Sequence, residues 1–155
     1  MKAAVTSLAV LAATAVSAAE EVRVVHQHSD AMASTAAEMF RFEPRILALA
    51  PGETVAFLNS VGSHTVLSQK GLWPEGVETV DIRGRARAEL VFDRPGLYGI
   101  TCARHGRYGM VMLIAVGPEG LEAAAALDLD EVDASARAKD AYRSLADMLL
   151  AGRVD

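Results

Sequence analysis

Leu97-Tyr98-Gly99-Ile100-Thr101-Cys102-Ala103-Arg104-His105-Gly106-Arg107-Tyr108-Gly109-Met110-Val111-Met112-Leu113-Ile114-Ala115-Val116 is the stretch that decides the fold. Its flanks, Leu97 to Thr101 and Val111 to Val116, are short apolar runs, and Asp93-Arg94-Pro95-Gly96 before them is a strong turn signal. The reading is strand, loop, strand, and the loop carries C-x-x-H-x-x-x-x-M. A loop of this kind presents a thiol, an imidazole and a thioether to one point. A second imidazole, His64 in Gly62-Ser63-His64-Thr65-Val66, lies 38 residues before Cys102. It must arrive from another strand or loop, and a β-sandwich can bring it there.

Taken singly, each of these residues has an ordinary reading. A lone buried cysteine behaves as a small hydrophobe, a methionine is usually core, and a histidine is usually at the surface. Taken together, His64, Cys102, His105 and Met110 form the soft nitrogen-and-sulfur set that suits copper. Thiolate and thioether favour Cu(I), while imidazole accommodates both oxidation states. A His, His, Cys plane with a weak axial Met is therefore a compromise that one-electron cycling tolerates. Zinc is the competing metal. Its sites use Cys and His, with Asp or Glu in some, and would leave Met110 unused.

Working outward, turn-punctuated short strands continue upstream. Val22 and Val24 alternate, as do Phe40 and Phe42; Ile46, Leu47 and Leu49 follow Pro44; Thr54 to Leu58, Thr65 to Ser68 and Ala88 to Phe92 are β-rich. About seven or eight strands at this spacing imply an all-β sandwich or barrel. Composition changes at Gly117-Pro118, after which Ala, Leu, Asp and Glu dominate. A short helix is expected from Glu119 to Leu127 and a longer one from Glu131 to Leu150. Ala138, Tyr142, Leu145 and Leu149 draw one apolar stripe on the second, and Gly152 is placed to end it. A stripe that narrow must cover an open face or edge of the β domain.

The chain has 155 residues, 52% of them hydrophobic, and a formal net charge of −5. That supports one domain with one core and no nucleic-acid partner, since no basic stripe dominates. Met1 and Lys2, the uncharged run Ala3 to Val16 and the small residues Ser17-Ala18-Ala19 read as a secretory signal cleaved near residues 18–19. The run is shorter than the roughly 20 residues a membrane span needs. The expected organisation is a leader over 1–19, a sandwich over 20–117, and a helical extension of the same domain over 118–155. Export gives Cys102 added meaning, because the chain has no second cysteine to pair with it. Charge is uneven: residues 118–155 hold four Lys/Arg against nine Asp/Glu, whereas residues 83–107 hold six Arg against two acids.

Several stretches resemble the cupredoxins, and within them the pseudoazurins: Phe42-Glu43-Pro44, Ala50-Pro51-Gly52-Glu53-Thr54-Val55, Lys70-Gly71-Leu72-Trp73-Pro74-Glu75-Gly76, Pro95-Gly96-Leu97-Tyr98, and Met110 to Gly117. The C-terminal helical pair is the most discriminating feature. The resemblance implies a Greek-key β-sandwich with two C-terminal α-helices packed on it, one type 1 copper and a monomeric periplasmic electron shuttle rather than an enzyme. It implies an upstream electron donor and, as acceptor, a redox enzyme such as copper nitrite reductase. A copper-binding or delivery protein is the alternative, and ligands drawn from distant segments argue against it.

Three departures from the family pattern stand out. Thr65 replaces an Asn that ties the two ligand loops together. Ala103-Arg104 replaces Thr-Pro, which restores a backbone N–H near the thiolate and is expected to alter the reduction potential. The segment from His28 to Glu38 is longer than usual. By family analogy the ring edge of His105 is the expected electron port, with Gly106 and Gly109 forming a flat patch. Arg104, Arg107 and Lys70 flank it as the expected docking site for an acidic partner surface. His26 and His28 share a strand face, and a structural or surface role is expected for them.

Overall fold

The computed structural model describes residues 22–154, so the leader expected over 1–19 lies outside the described residues. Seven strands and three helices follow in order: β1 Arg23–Ser29, α1 Ala36–Met39, β2 Phe40–Glu43, β3 Ile46–Leu49, β4 Glu53–Ser68, β5 Asp81–Phe92, β6 Gly96–Thr101, β7 Val111–Val116, α2 Gly117–Ala125 and α3 Ala136–Leu150. The strands form one hydrogen-bonded sheet in the order β2-β1-β4-β6-β7-β3, with β5 paired to β4. The sheet curls into a nearly closed sandwich because β4 is long enough to serve two neighbourhoods. It pairs with β1 over Val55–Leu58 and with β6 at Leu67 and Ser68, and runs beside β5 throughout.

Two expectations about length change here. Thr54–Leu58 and Thr65–Ser68 belong to one strand, which crosses an irregularity between Ser60 and Thr65. Gly62, in a positive-φ conformation, and its polar neighbours read locally as a break, whereas pairing with β5 carries the strand through. β5 likewise starts at Asp81 rather than Ala88. Its first half, Arg83-Gly84-Arg85-Ala86-Arg87, carries almost no apolar signal.

Strand β7 explains why its sequence is apolar throughout. Met112, Ile114 and Val116 point into the sandwich interior, beside Phe42, Val55, Phe57, Val66 and Tyr98. Val111, Leu113 and Ala115 point the other way, into a second cluster with Ala138, Tyr142, Leu145 and Leu149 of α3. A strand buried on both faces has no polar side to show. The stripe on α3 thus covers the outer face of β7 and its neighbour β3, as its pattern required, and reaches β6 through Tyr142. The helix begins at Ala136, not Glu131, because the Ser135 side chain accepts from the Ala138 N–H and fixes the N-cap there. Tyr142 is fully buried and its hydroxyl donates to Ile100 O at 2.7 Å, which satisfies the one polar atom on the stripe.

Candidate metal centre

The loop after β6 is a tight turn built by its own backbone. Gly106 N–H donates to Cys102 O (2.7 Å), Tyr108 N–H to His105 O (2.9 Å) and Met110 N–H to His105 O (3.2 Å), while Cys102 N–H donates to Met110 O (3.2 Å). A single 3-10 turn, Gly106–Tyr108, closes the loop, and Gly109 at φ 99° makes the reversal that a side chain would resist. Gly106 faces inward, where any Cβ would run into the Thr101 hydroxyl. Neither glycine forms the surface patch expected from sequence; both are buried.

Across the sandwich, β4 delivers His64. The ligating atoms of His64, Cys102 and His105 lie within 4.8 Å of one another, and all three residues are buried. Cys102 Sγ is 3.8 Å from His105 Nδ1. Met110 is fully buried in the same interior cluster as Cys102, and its backbone is bonded to both Cys102 and His105. Among the described residues this is the one convergence of three such groups. His26 and His28 do not join it: their ring centroids are 5.9 Å apart, and His28 Nε2 lies 3.1 Å from Glu43 Oε2.

The surroundings fix the two imidazoles. His64 Nε2 is 2.7 Å from Ser29 Oγ, whereas its Nδ1 is buried without any hydrogen-bond partner. Burial of an unpaired polar atom is costly, and here the bare nitrogen belongs to a ring that converges on a thiol and a second imidazole. The three groups are placed so that they could hold a metal ion. Burial holds both imidazoles below the ordinary histidine value, with His28 adding to the effect at His64, and His64, Arg104 and Arg107 adding to it at His105. Neutral imidazoles are the form that coordinates.

Thr65 ties the ligand loops together. Its Oγ1 accepts from Ala103 N–H at 2.8 Å and its hydroxyl lies 3.8 Å from Cys102 Sγ. The shorter side chain therefore bridges β4 to the Cys102 loop, the role expected of the family's Asn. Two further contacts were not read from the sequence. Ser29 on His64 had no local signal. Phe40 stacks face to face on His105, with centroids 3.8 Å apart and planes 2° apart. Its signal was present, since Phe40 and Phe42 share a strand face and Phe42 is core. His105 is 5% exposed, and Phe40 lies against one face of its ring. Arg104, Arg107 and Lys70 are exposed, as expected, with Lys70 Nζ 3.6 Å from Asp133 Oδ2.

A buried His, Cys, His cluster at one end of a curled sheet, with a buried Met in the same loop, defines a cupredoxin-type copper centre. The chain belongs to the plastocyanin/azurin family of copper-binding proteins, whose family model matches residues 28–117. Two relatives that match most of its length are pseudoazurins. That of Methylorubrum extorquens is 36% identical over 79% of this chain and 80% of its own, and that of Paracoccus pantotrophus is 36% identical over 80% and 82%. The solved pseudoazurin of Methylobacterium extorquens AM1 superposes with a TM-score of 0.65 at 28% identity, covering 83% of this chain and 99% of that one. Family and cluster together fit one type 1 copper.

Proposed function

We propose that this chain is a periplasmic one-electron carrier whose copper is held by His64 Nδ1, Cys102 Sγ, His105 Nδ1 and the Met110 thioether. The observation that carries the reading is the unpartnered buried Nδ1 of His64, set beside the thiol and second imidazole. Copper, when bound, supplies a Cu(I)/Cu(II) couple that the mixed nitrogen and sulfur set supports in both states. The chain's own residues do the rest. Ser29 fixes the tautomer and orientation of His64, and Thr65 locks the Cys102 loop to β4. Four ligands from the chain leave no position for a substrate. The surface grooves of about 650 Å³ beside Trp73 and Tyr98, and about 550 Å³ beside Leu67 and Pro74, are lined by none of the four, and a smaller one of about 290 Å³ beside Asp133 and Ala138 meets only Cys102 among them. That favours electron transfer over catalysis at the metal. The reading of residues 1–19 as an export signal supports a periplasmic location. Its partners are then an upstream donor and an acceptor of the copper nitrite reductase type, docking beside Arg104 and Arg107.

The test is the visible spectrum of the copper-loaded, oxidised protein, repeated after reduction. An intense thiolate-to-copper band that bleaches with reductant and returns with oxidant is the expected result. Colourless binding of copper removes the electron-carrier reading and leaves copper handling as the function.

A further inference from the structure

The outer face of the β1–β2 ladder carries chemistry that the copper centre does not use. His26 and His28 are two positions apart on β1 and so share a face, opposite to the one that buries Val25 and Gln27. In the antiparallel register His26 stands directly across from Glu43, and His28 across from Arg41. Directly opposed residues have Cβ atoms about 5 Å apart, and diagonal ones about 7–8 Å. Two imidazoles and a carboxylate therefore rise from one small triangle of backbone.

His28 Nε2 lies 3.1 Å from Glu43 Oε2. Two donors that each sit about 2.0–2.1 Å from one tetrahedral ion stand about 3.3 Å from each other, so this pair already has the spacing of neighbouring ligands. The His26 and His28 ring centroids are 5.9 Å apart, against 5.1 Å for His64 and His105. His26 is the group still to converge. It is exposed, so turning its ring toward Glu43 disturbs no core contact. Arg41 Nη2 reaches the same carboxylate oxygen at 3.1 Å, and its Nη1 donates to Glu38 O at 2.7 Å, which keeps Glu43 beside His28.

We propose that His26, His28 and Glu43 form a second metal site, which takes one divalent ion of the zinc or copper(II) class on the outside of the β1–β2 ladder. Two imidazoles and one carboxylate suit those ions, whereas magnesium and calcium take oxygen donors. The remaining position faces solvent and is filled by water, so the ion exchanges. The site shares no ligand with His64, Cys102, His105 and Met110, and it stands whether or not that centre carries electrons. The positive charge of Arg41 beside Glu43 makes binding weaker than the three donors alone would give.

The test is a zinc titration of the copper(I)-loaded protein, whose first centre is filled, followed by the heat of binding and by the proton shifts of the histidine rings. One further zinc ion should bind at micromolar concentration and shift the ring protons of both His26 and His28. Those shifts identify the site whatever fills the first centre. His26→Gln, His28→Gln and Glu43→Gln should each weaken binding at least tenfold, while the visible band of the oxidised protein stays as in wild type. Should one variant lose that band, the other two decide. Calcium should neither bind nor shift the rings. Zinc binding that needs millimolar concentration, an adventitious ion only, overturns the proposal. So does zinc binding that the variants retain, or calcium binding of equal strength.

Discussion

Thr65 concentrates the centre's local chemistry in one hydroxyl. It accepts from Ala103 N–H and lies against Cys102 Sγ, so Thr65→Val leaves a partly buried N–H without its acceptor. A loss of about 1–3 kcal/mol follows from the general cost of an unmade hydrogen bond, read from urea unfolding of the metal-free protein. Thr65→Ser should restore most of it. The two imidazoles impose a second, pH-dependent behaviour. Both are held below the ordinary histidine value of 6.5, so the folded metal-free chain binds fewer protons than the unfolded chain in that range. Stability is then full above the ordinary value and is lost as pH falls through it toward the lower folded values. Denaturant midpoints of the metal-free protein should decline on acidification. A His64→Gln, His105→Gln double variant should decline less steeply, and identical slopes would count against the assignment. At this scale the sequence was informative about which residues converge and said less about what supports them. Cys102, His105 and Met110 sit in one loop and share a spacing, so pattern alone could group them. Ser29 acts on His64 across 35 positions of chain, through pairing that only the folded sheet creates.

Elements were legible where burial is one-sided or total, and illegible where it is neither. The stripe on α3 and the unbroken apolar run of β7 announced themselves, because each buries what its sequence shows. The first half of β5 and the bridge across Ser60–Thr65 did not, since most of their side chains are polar or glycine, Val61, Ile82 and Ala86 apart, and the ladder itself is interrupted between Ser60 and Thr65. α1 has four residues and no apolar period, although Thr35 and Glu38 carried a capping-box pattern. Packing also overrides propensity inside α2. A Cβ on Gly120 would come within 2.7 Å of Gly96 O and 2.8 Å of Ala115 Cα. These are backbone atoms of β6 and β7, and no flexible side chain can move aside. Gly120→Ala gains about 1 kcal/mol of intrinsic helix preference, yet overpacking of this kind costs about 1–3 kcal/mol or more. The variant should be less stable than wild type by thermal unfolding. A stabilised Gly120→Ala would show that α2 can lift off the sheet without loss. Leu145→Ala, in the middle of the α3 stripe, should cost about 2–5 kcal/mol by cavity formation, without moving the visible band of the copper protein.

Over the whole molecule, charge is where the sequence reading needs the most revision. Six arginines between residues 83 and 107 suggest a strongly basic site, but the fold distributes them. Arg83 is paired with Asp81 and Arg87 with Glu89, both within β5. Lys70 faces Asp133, brought there because Gln69 Nε2 donates to Asp133 O and Asp133 N–H donates to Lys70 O. Exposed pairs of this kind add little stability, but they cancel charge locally. Among the described residues no ion pair holds Arg104 or Arg107, and Arg107 rests on the Tyr108 ring at 4.7 Å. The positive field beside His105 is that of Arg104 and Arg107, on a chain whose net charge is −5. Such a focused field raises encounter rates with anions and is screened by salt. Stopped-flow oxidation of the copper(I) protein by hexacyanoferrate(III), followed against ionic strength, measures it directly. Wild type should slow as salt is raised. Arg104→Glu with Arg107→Glu should be at least several-fold slower at low salt and should speed up as salt is added, while Lys70→Glu should stay close to wild type. A Lys70→Glu effect as large as the double reversal would mean that Asp133 does not neutralise Lys70 in solution, and that the docking field extends along the loop to α3.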